Sequence, residues 1–145
     1  MKIKIFPIEL SLNQQLKYVI VAARYQNKKW IFVQHKERKT WEIPAGHIEA
    51  DEHPDQAAKR ELYEETGATC FTILALFDYS VKEKNGNINY GRIYFADIDK
   101  LGELPESEIA KIKLKNKLPS KLTYPKIQPI MFQYVVDWLN DSLNS

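Results

Sequence analysis

The chain has 145 residues, of which 44% are hydrophobic and 28% are charged. This balance is typical of a globular protein and excludes collagen, a disordered polypeptide and a disulfide-rich scaffold. Lys and Arg number 21 against 19 Asp and Glu, and the resulting formal charge of +2 is too small to indicate nucleic-acid binding by itself. We expect residues 1–145 to form one domain, because no repeat, low-complexity tract or Gly/Ser linker interrupts them.

The cysteine content and the hydropathy pattern predict a cytoplasmic protein. Cys70 is the one cysteine of the sequence, so it cannot form an internal disulfide, which fits a reducing compartment. Residues 1–7 contain no long apolar run and do not read as a signal peptide. No stretch reaches the length of about 18 apolar residues that indicates a transmembrane helix, so we expect no association with a membrane.

The first predicted elements are two strands and a helix. Residues 18–23 and 30–33 are short runs of β-branched and aromatic side chains, separated by a polar tetrapeptide that predicts a hairpin turn. The helix begins at Pro54, which suits the first helical position, with His53 as its N-cap. It ends before Gly67, which suits the left-handed residue that often follows a helix.

Strands and a second helix follow in the C-terminal half of the sequence. Residues 69–80 and 88–98 read as two strands that are joined by a polar loop, and residues 109–114 partly alternate apolar and polar side chains, as a half-buried strand does. Residues 127–139 carry apolar side chains at helical spacing and are expected to pack on the sheet. This order predicts an α+β or mixed α/β fold around one sheet.

Charge is unevenly distributed along the chain. Residues 51–65 include six acids and two bases, whereas residues 111–126 include six lysines and no acid. An acidic centre beside a basic segment suits a cation together with a phosphorylated ligand. On charge alone, two solvated faces of opposite sign are an equally good interpretation.

Three carboxylates crowd one side of the predicted central helix. At about 100° of rotation per residue, Glu61 falls between Glu64 and Glu65, while Ala58 and Leu62 occupy the adjacent sector and can anchor the helix. Like charges at these spacings repel, and the C-terminal end of a helix disfavours anions. A hard divalent cation would remove that cost. For an isolated Glu-x-x-Glu-Glu, a solvated helix face is the alternative interpretation.

The spacing around these acids gives the strongest signal. Gly46 is followed after five residues by Glu52, and after seven more by the run Arg60-Glu-Leu-Tyr-Glu-Glu-Thr-Gly-Ala68. This resembles the signature of the Nudix hydrolases at every invariant position, with Ala68 in a final slot that is usually Ile, Leu or Val. The segments 41–49 and 107–119 are similar to the flanking regions of that family. The resemblance covers most of the chain, the first fifteen residues least, and implies an α/β/α sandwich with a mixed β-sheet.

The resemblance also implies an enzyme that hydrolyses a phosphoric anhydride bond in a nucleoside diphosphate-linked substrate with the help of Mg²⁺ or Mn²⁺. By position, Glu64 and Glu65 would be the main metal ligands. Glu61 would be a third ligand or the base that activates water, and the Gly46 carbonyl oxygen would be a further ligand. Such ions polarise phosphoryl oxygens and lower the pKa of bound water.

Two further site residues follow from the same resemblance. Arg60 is expected to pair with Glu52 or Glu64 and to fix carboxylate rotamers, which is also what simple charge compensation would look like. Glu108 is the candidate for a distal catalytic carboxylate because it precedes the strand at Ile109, although other glutamates lie close before it.

Other residue types allow further interpretations. His47 and His53 flank two acids and raise the question of a zinc site, but their spacing matches no common zinc motif. Cys70 is interpreted as a small buried residue rather than a nucleophile. Three tyrosines can stack a nucleobase or belong to the core or sheet face: Tyr79, Tyr90 and Tyr94.

The substrate is the least defined part of the prediction. The small size and the lead-in at residues 41–44 resemble MutT-type enzymes, which hydrolyse nucleoside triphosphates, including oxidised ones, to monophosphate and pyrophosphate. The Pro-Ala-Gly at residues 44–46 is frequent among ADP-ribose enzymes, so hydrolysis of ADP-ribose or another nucleotide sugar is the alternative. The lysines of residues 111–126 permit an RNA 5′ end as substrate without favouring it. A catalytically silent Nudix-like ligand-binding domain is the alternative of another class, and a homodimer fits the family.

Overall fold

The computed structural model describes residues 1–144. The strands are β1 (Lys2–Pro7), β2 (Leu16–Tyr25), β3 (Lys29–His35), β4 (Ala45–His47), β5 (Ala68–Lys82), β6 (Ile88–Leu101) and β7 (Ile109–Lys115), and the helices are α1 (Pro54–Thr66) and α2 (Gln128–Asn144). A single 3₁₀ turn, Leu10–Leu12, follows the first strand. Every predicted strand and helix is present, and most extend a few residues beyond their predicted ends.

The strands form one mixed sheet with a helix on each face. Their order is β1-β5-β6-β2-β3-β7, and β4 lies beside β2. β2 and β6 are parallel and the other neighbours are antiparallel. The core is divided accordingly. Beneath α1, one apolar cluster joins Ala57, Ala58 and Leu62 to Val19 and Val21. Beneath α2, the other joins Met131, Phe132 and Val135 to Ile20 and Phe32. This arrangement is the predicted α/β/α sandwich. None of the helices within residues 1–144 is both long and apolar enough to cross a membrane.

The centre of the sheet is opened by a segment inserted between two strands. β2 and β3 pair directly only next to their hairpin, at Arg24–Trp30 and Tyr25–Lys29. Farther along, Glu42 bridges to Val33 of β3, while β4 pairs with residues 18–20 of β2. The segment 42–47 therefore occupies the gap, and its end at β4 packs against α1.

Helix α1 is fixed at both ends. The His53 side chain accepts a hydrogen bond from the Asp55 backbone N–H at 3.0 Å, and the Gln56 side chain accepts one from the His53 backbone N–H at 3.2 Å. After the helix, Gly67 has a left-handed φ of 78° and donates its N–H to the Tyr63 carbonyl oxygen at 2.9 Å. Because its ends are capped and its apolar side is buried on the sheet, the polar side chains of α1 have fixed positions.

A buried ion pair ties the N-terminal segment to the sheet. Arg92 and Asp78 are 2% and 0% exposed and pair at 2.6 Å. The second carboxylate oxygen of Asp78 accepts the Glu9 backbone N–H at 2.8 Å. Sequence reasoning did not anticipate this pair, because its members are 14 residues apart on two different strands.

The interpretation of Cys70 as a buried residue was wrong. Cys70 is exposed and begins the long β5–β6 ribbon, where the pairing register shifts on both sides of it. Its thiol lies 4.0 Å from a carboxylate oxygen of Asp99. Because such shifts break the alternation of inward and outward side chains, the apolar pattern of residues 69–80 could not give its orientation.

Candidate active site

The predicted site residues line one cleft, which has a volume of about 910 Å³. Its walls come from β4, α1, the end of β3, the loop before β7 and the start of α2. The structure brings to this cleft all six residues that the sequence singled out as catalytic or metal-binding: Gly46, Arg60, Glu61, Glu64, Glu65 and Glu108.

Arg60 organises the acids on its side of the cleft. Its Nε and Nη2 each donate to a carboxylate oxygen of Glu52 at 2.8 Å, which is the two-pronged geometry that a guanidinium favours. Its Nη1 donates to Glu61 at 2.8 Å and to Glu64 at 3.3 Å, and its Nη2 also reaches the His47 carbonyl oxygen at 2.9 Å. Hydrogen bonds from Arg60 hold the pKa of Glu52 below its usual value. Both pairings expected for Arg60 are therefore present.

Glu65 is the most buried acid of α1, with 7% of its surface exposed. One carboxylate oxygen accepts the Ala45 backbone N–H at 2.9 Å. Burial raises the pKa of Glu65 to about 8, and the carboxylates of Glu61, Glu42 and Glu108 add to the rise, while the hydrogen bond from Ala45 opposes it. Burial and these neighbouring carboxylates therefore disfavour the ionised form of Glu65.

Glu61 lies directly against β4. Only 13% of its side chain is exposed, and burial raises the pKa of Glu61 although the Arg60 guanidinium opposes the rise. A Cβ atom on Gly46 would lie 2.0 Å from Cδ of Glu61, which is far inside van der Waals contact. A side chain at position 46 would therefore displace the Glu61 carboxylate from its place, and the spacing in the sequence corresponds to this close approach.

A second polar network was missed by sequence reasoning. Glu42 is 6% exposed, and its two carboxylate oxygens lie 2.7 Å from His35 Nε2 and 3.0 Å from Arg38 Nη1. The same imidazole lies 4.0 Å from Glu65 through Nε2 and 3.8 Å from Glu108 through Nδ1. His35 thus stands between acids from three segments. Its only sequence signal was its place at the end of an apolar strand, which does not indicate a function.

The rim of the cleft carries two glutamates from the loop before β7. Glu108 is 87% exposed at its side chain, and Glu106 pairs with Lys36 at 3.3 Å. A third glutamate of that loop, Glu103, lies elsewhere, with its carbonyl oxygen beside Gly67 at the end of α1. The geometry therefore leaves Glu108 and Glu106 as acids able to reach a ligand in the cleft.

The tyrosines and histidines take different places. Tyr79 lines the cleft, but Tyr94 is buried beneath α1 and donates its hydroxyl proton to Asp55 at 2.6 Å, as a core residue does. Tyr90 lines a separate pocket of about 380 Å³. His47 packs against the Tyr18 ring at a tilt of 59°, with centroids 4.7 Å apart, and His53 caps α1.

The donor set of the cleft suits a hard divalent cation. Three carboxylates and the backbone carbonyl of Gly46 are oxygen donors, the type of ligand that Mg²⁺ and Mn²⁺ prefer. Arg60 holds one oxygen each of Glu61 and Glu64, and within residues 1–144 no three His, Cys, Asp or Glu side chains converge on one point as they stand. The excess of negative charge around buried Glu65 is the observation that favours a cation there.

Comparison with known proteins identifies the family. The model of the NUDIX domain matches residues 14–123, which is most of the chain and includes residues 46–68. The chain belongs to the Nudix family. This result confirms the predicted family and the Nudix-type sandwich, and it supports the predicted class of enzyme, a hydrolase of phosphoric anhydride bonds.

Several Nudix proteins are similar to this chain. A Bacillus subtilis (strain 168) protein with the provisional name 8-oxo-dGTP diphosphatase YtkD is 40% identical over 65% of this chain and 61% of its own length. An RNA pyrophosphohydrolase of Sulfurovum sp. (strain NBC37-1) is 33% identical over 58% of this chain and 55% of its own. Both matches thus span less than two thirds of the relative. The crystal structure of the Bacillus subtilis pyrophosphohydrolase BsRppH superposes with a TM-score of 0.77 at 27% identity, covering 93% of this chain and 90% of that one.

Proposed function

We propose that residues 1–145 form one Nudix domain that hydrolyses nucleoside triphosphates, including oxidised ones, to nucleoside monophosphate and pyrophosphate with Mg²⁺ or Mn²⁺. The observation that carries the proposal is that Glu61, Glu64 and buried Glu65 line one large cleft, with Glu61 directly against Gly46. The similarity to the provisionally named 8-oxo-dGTP diphosphatase supports a nucleoside triphosphate as substrate.

The residues of the cleft would have different roles in such a reaction. Glu64, Glu65, Glu61 and the Gly46 carbonyl oxygen would hold the cation. When bound, a divalent cation polarises the phosphoryl oxygens and lowers the pKa of a bound water. Arg60 orients Glu61 and Glu64 by hydrogen bonds at 2.8 and 3.3 Å.

We assign proton acceptance to the rim of the cleft. The Glu108 side chain is exposed there and lies 3.8 Å from Nδ1 of His35. It can approach a ligand in the cleft and accept a proton from the attacking water at a carboxylate oxygen. His35 stays anchored by Glu42 at 2.7 Å and limits where the Glu108 carboxylate can lie.

A second candidate substrate is the triphosphorylated 5′ end of RNA. Two observations favour it: the Sulfurovum relative that is 33% identical over 58% of this chain is named an RNA pyrophosphohydrolase, and residues 111–126 carry six lysines without an acid. The bond broken would be the same, so the cleft chemistry would not change. The difference would be that an RNA also contacts the protein surface outside the cleft.

The test is hydrolysis of a substrate panel with Mg²⁺, with Mn²⁺ and with a chelator, followed by separation of the products. Nucleoside triphosphates that yield monophosphate and pyrophosphate only with a cation would support the proposal. Preferred cleavage of ADP-ribose to AMP and ribose phosphate would replace it with the nucleotide-sugar alternative. Absence of cation-dependent turnover on every substrate would favour the catalytically silent ligand-binding domain.

A further inference from the structure

Beside the cleft, two lysines of the edge strand converge on a tryptophan. Lys111 and Lys113 are exposed, and their Nζ atoms lie 5.9 and 5.2 Å from the centroid of the half-buried Trp41 ring. Both lysines occupy the same face of β7, because they pair with the alternate residues Gln34 and Phe32 of β3. We call Trp41, Lys111 and Lys113 the lysine–tryptophan surface.

This surface continues from the cleft. β7 begins at Ile109, which lines the cleft, so Lys111 and Lys113 follow about 7 and about 13 Å farther along the strand. Trp41 is also joined to the cleft wall through residues 123 and 124. The Thr123 N–H donates to the Trp41 carbonyl oxygen at 2.9 Å, and the adjacent Tyr124 lines the cleft. A chain-like ligand can therefore leave the cleft and pass directly over the surface.

The charge changes sign along that path. Glu106 and Glu108 lie at the cleft, whereas residues 109–126 contain six lysines and no acid. Lysines on an edge strand also prevent unwanted strand pairing, and the opposite edge, β1, carries Lys2 and Lys4 in that role. Protection of an edge does not require two ammonium groups over one indole ring. That arrangement instead suits a ligand with phosphates and flat bases.

We propose that the lysine–tryptophan surface binds the single-stranded segment of an RNA whose 5′ end lies in the cleft. Phosphates beyond the end draw the Lys111 and Lys113 ammonium groups off the Trp41 ring, and one base stacks on the ring face that they leave. The placement of the 5′ end rests on the second candidate substrate of the proposed function, whereas the affinity of the surface for the strand does not. A free nucleoside triphosphate has no phosphate beyond its 5′ end, so the surface distinguishes the two candidate substrates.

Binding of an oligoribonucleotide of about 12 residues with a 5′-monophosphate tests the surface without any hydrolysis. Fluorescence anisotropy over a range of KCl concentrations gives the slope of log K against log salt. We expect K111Q/K113Q to reduce that slope by about 1.4, since each phosphate contact on a single strand contributes about 0.7. The control K2Q/K4Q, on the opposite edge, is expected to keep the wild-type slope. W41L should weaken binding by about 10-fold, and W41F should restore most of it.

Turnover separates this inference from the proposed function. K111Q/K113Q should lower kcat/KM for a triphosphorylated RNA through KM, and should leave kcat/KM for a free nucleoside triphosphate unchanged. Equal affinity and equal salt slope in wild type and K111Q/K113Q would overturn the lysine–tryptophan surface and leave the proposed function standing. RNA binding with the expected slopes but without hydrolysis of any substrate would support the surface and refute the proposed function.

Discussion

Glu65 is a single residue that is expected to lower the stability of the fold when no cation is bound. Its carboxylate is buried among other carboxylates, and its closest hydrogen-bond donor is one backbone N–H at 2.9 Å. A side chain chosen for stability alone would be neutral at this place. On the proposed function, the residue would stabilise a positively charged ligand at the expense of the ligand-free fold.

The free energy of unfolding should show this cost as a pH dependence in chelator. The pKa of Glu65 rises from about 4.5 to about 8 on folding, so the folded state binds more protons than the unfolded state in that range. The contribution of Glu65 to stability must then fall as the pH increases through the range. E65Q, which imitates the neutral acid, should equal wild type near pH 4.5 and exceed it above pH 8 in urea titrations. A pH-independent difference between the two proteins would contradict the assignment.

The small size of Gly46 leaves room for the Glu61 carboxylate in the cleft. G46A would place a methyl group 2.0 Å from Cδ of Glu61, so the carboxylate must move. We expect kcat/KM to fall by about 10²-fold, because displacement of a catalytic group by about 1 Å has that effect. G102A is the control, since its methyl group would meet the Thr69 methyl at 3.1 Å and the Gly67 carbonyl oxygen at 3.5 Å, and neither residue lines the cleft. Equal losses in both variants would show that the effect is not local.

At the scale of elements, α1 and the segment 42–47 form the site together. α1 supplies the carboxylates in a fixed register because its ends are capped and its apolar side is buried. The inserted segment supplies Gly46 because β2 and β3 separate beyond their hairpin. The helix alone would be a surface with acidic side chains. Together with the segment 42–47, it forms a wall of the cleft.

The end of α1 can be tested by two glycine substitutions that share a left-handed backbone. G67A is expected to cost about 1–2 kcal/mol for the backbone conformation and more for a Cβ that would lie 2.7 Å from the Glu103 carbonyl oxygen. G86A has a similar φ of 91° in open space, so it reports the backbone cost alone. In urea unfolding, G67A should be the more destabilised of the two, and the reverse order would contradict the steric account.

The sequence predicted some structural elements better than others. The limits of α1, its three carboxylates and its capping follow from local spacing, and these predictions are confirmed. His35 and Glu42 were not predicted as site residues, because their meeting depends on how β3 and the inserted segment pair in space. The exposure of Cys70 depends on register shifts that leave no mark on the apolar pattern. Local periodicity thus determines helices well and long-range pairing poorly.

At the scale of the whole molecule, the pair Asp78–Arg92 links the N-terminal segment, β5 and β6. D78N leaves the Arg92 charge buried without a counter-charge, and we expect a loss of about 3–5 kcal/mol in the free energy of unfolding. D97N is the matched control, because Asp97 is 35% exposed and pairs with Arg24 at 3.6 Å. Its loss should stay below about 1 kcal/mol. Equal losses would show that burial does not determine the strength of these pairs.

The central claim is that the carboxylates of α1 support cation-dependent hydrolysis in this cleft. The most direct measurement is kcat/KM for a nucleoside triphosphate with Mg²⁺ in wild type, in E64Q and in the control E37Q, whose side chain lies outside the cleft lining. E64Q removes one charge from a half-exposed side chain, so the fold should persist. The account predicts a loss of about 10²-fold or more in E64Q and wild-type activity in E37Q. Undiminished activity of E64Q would contradict it.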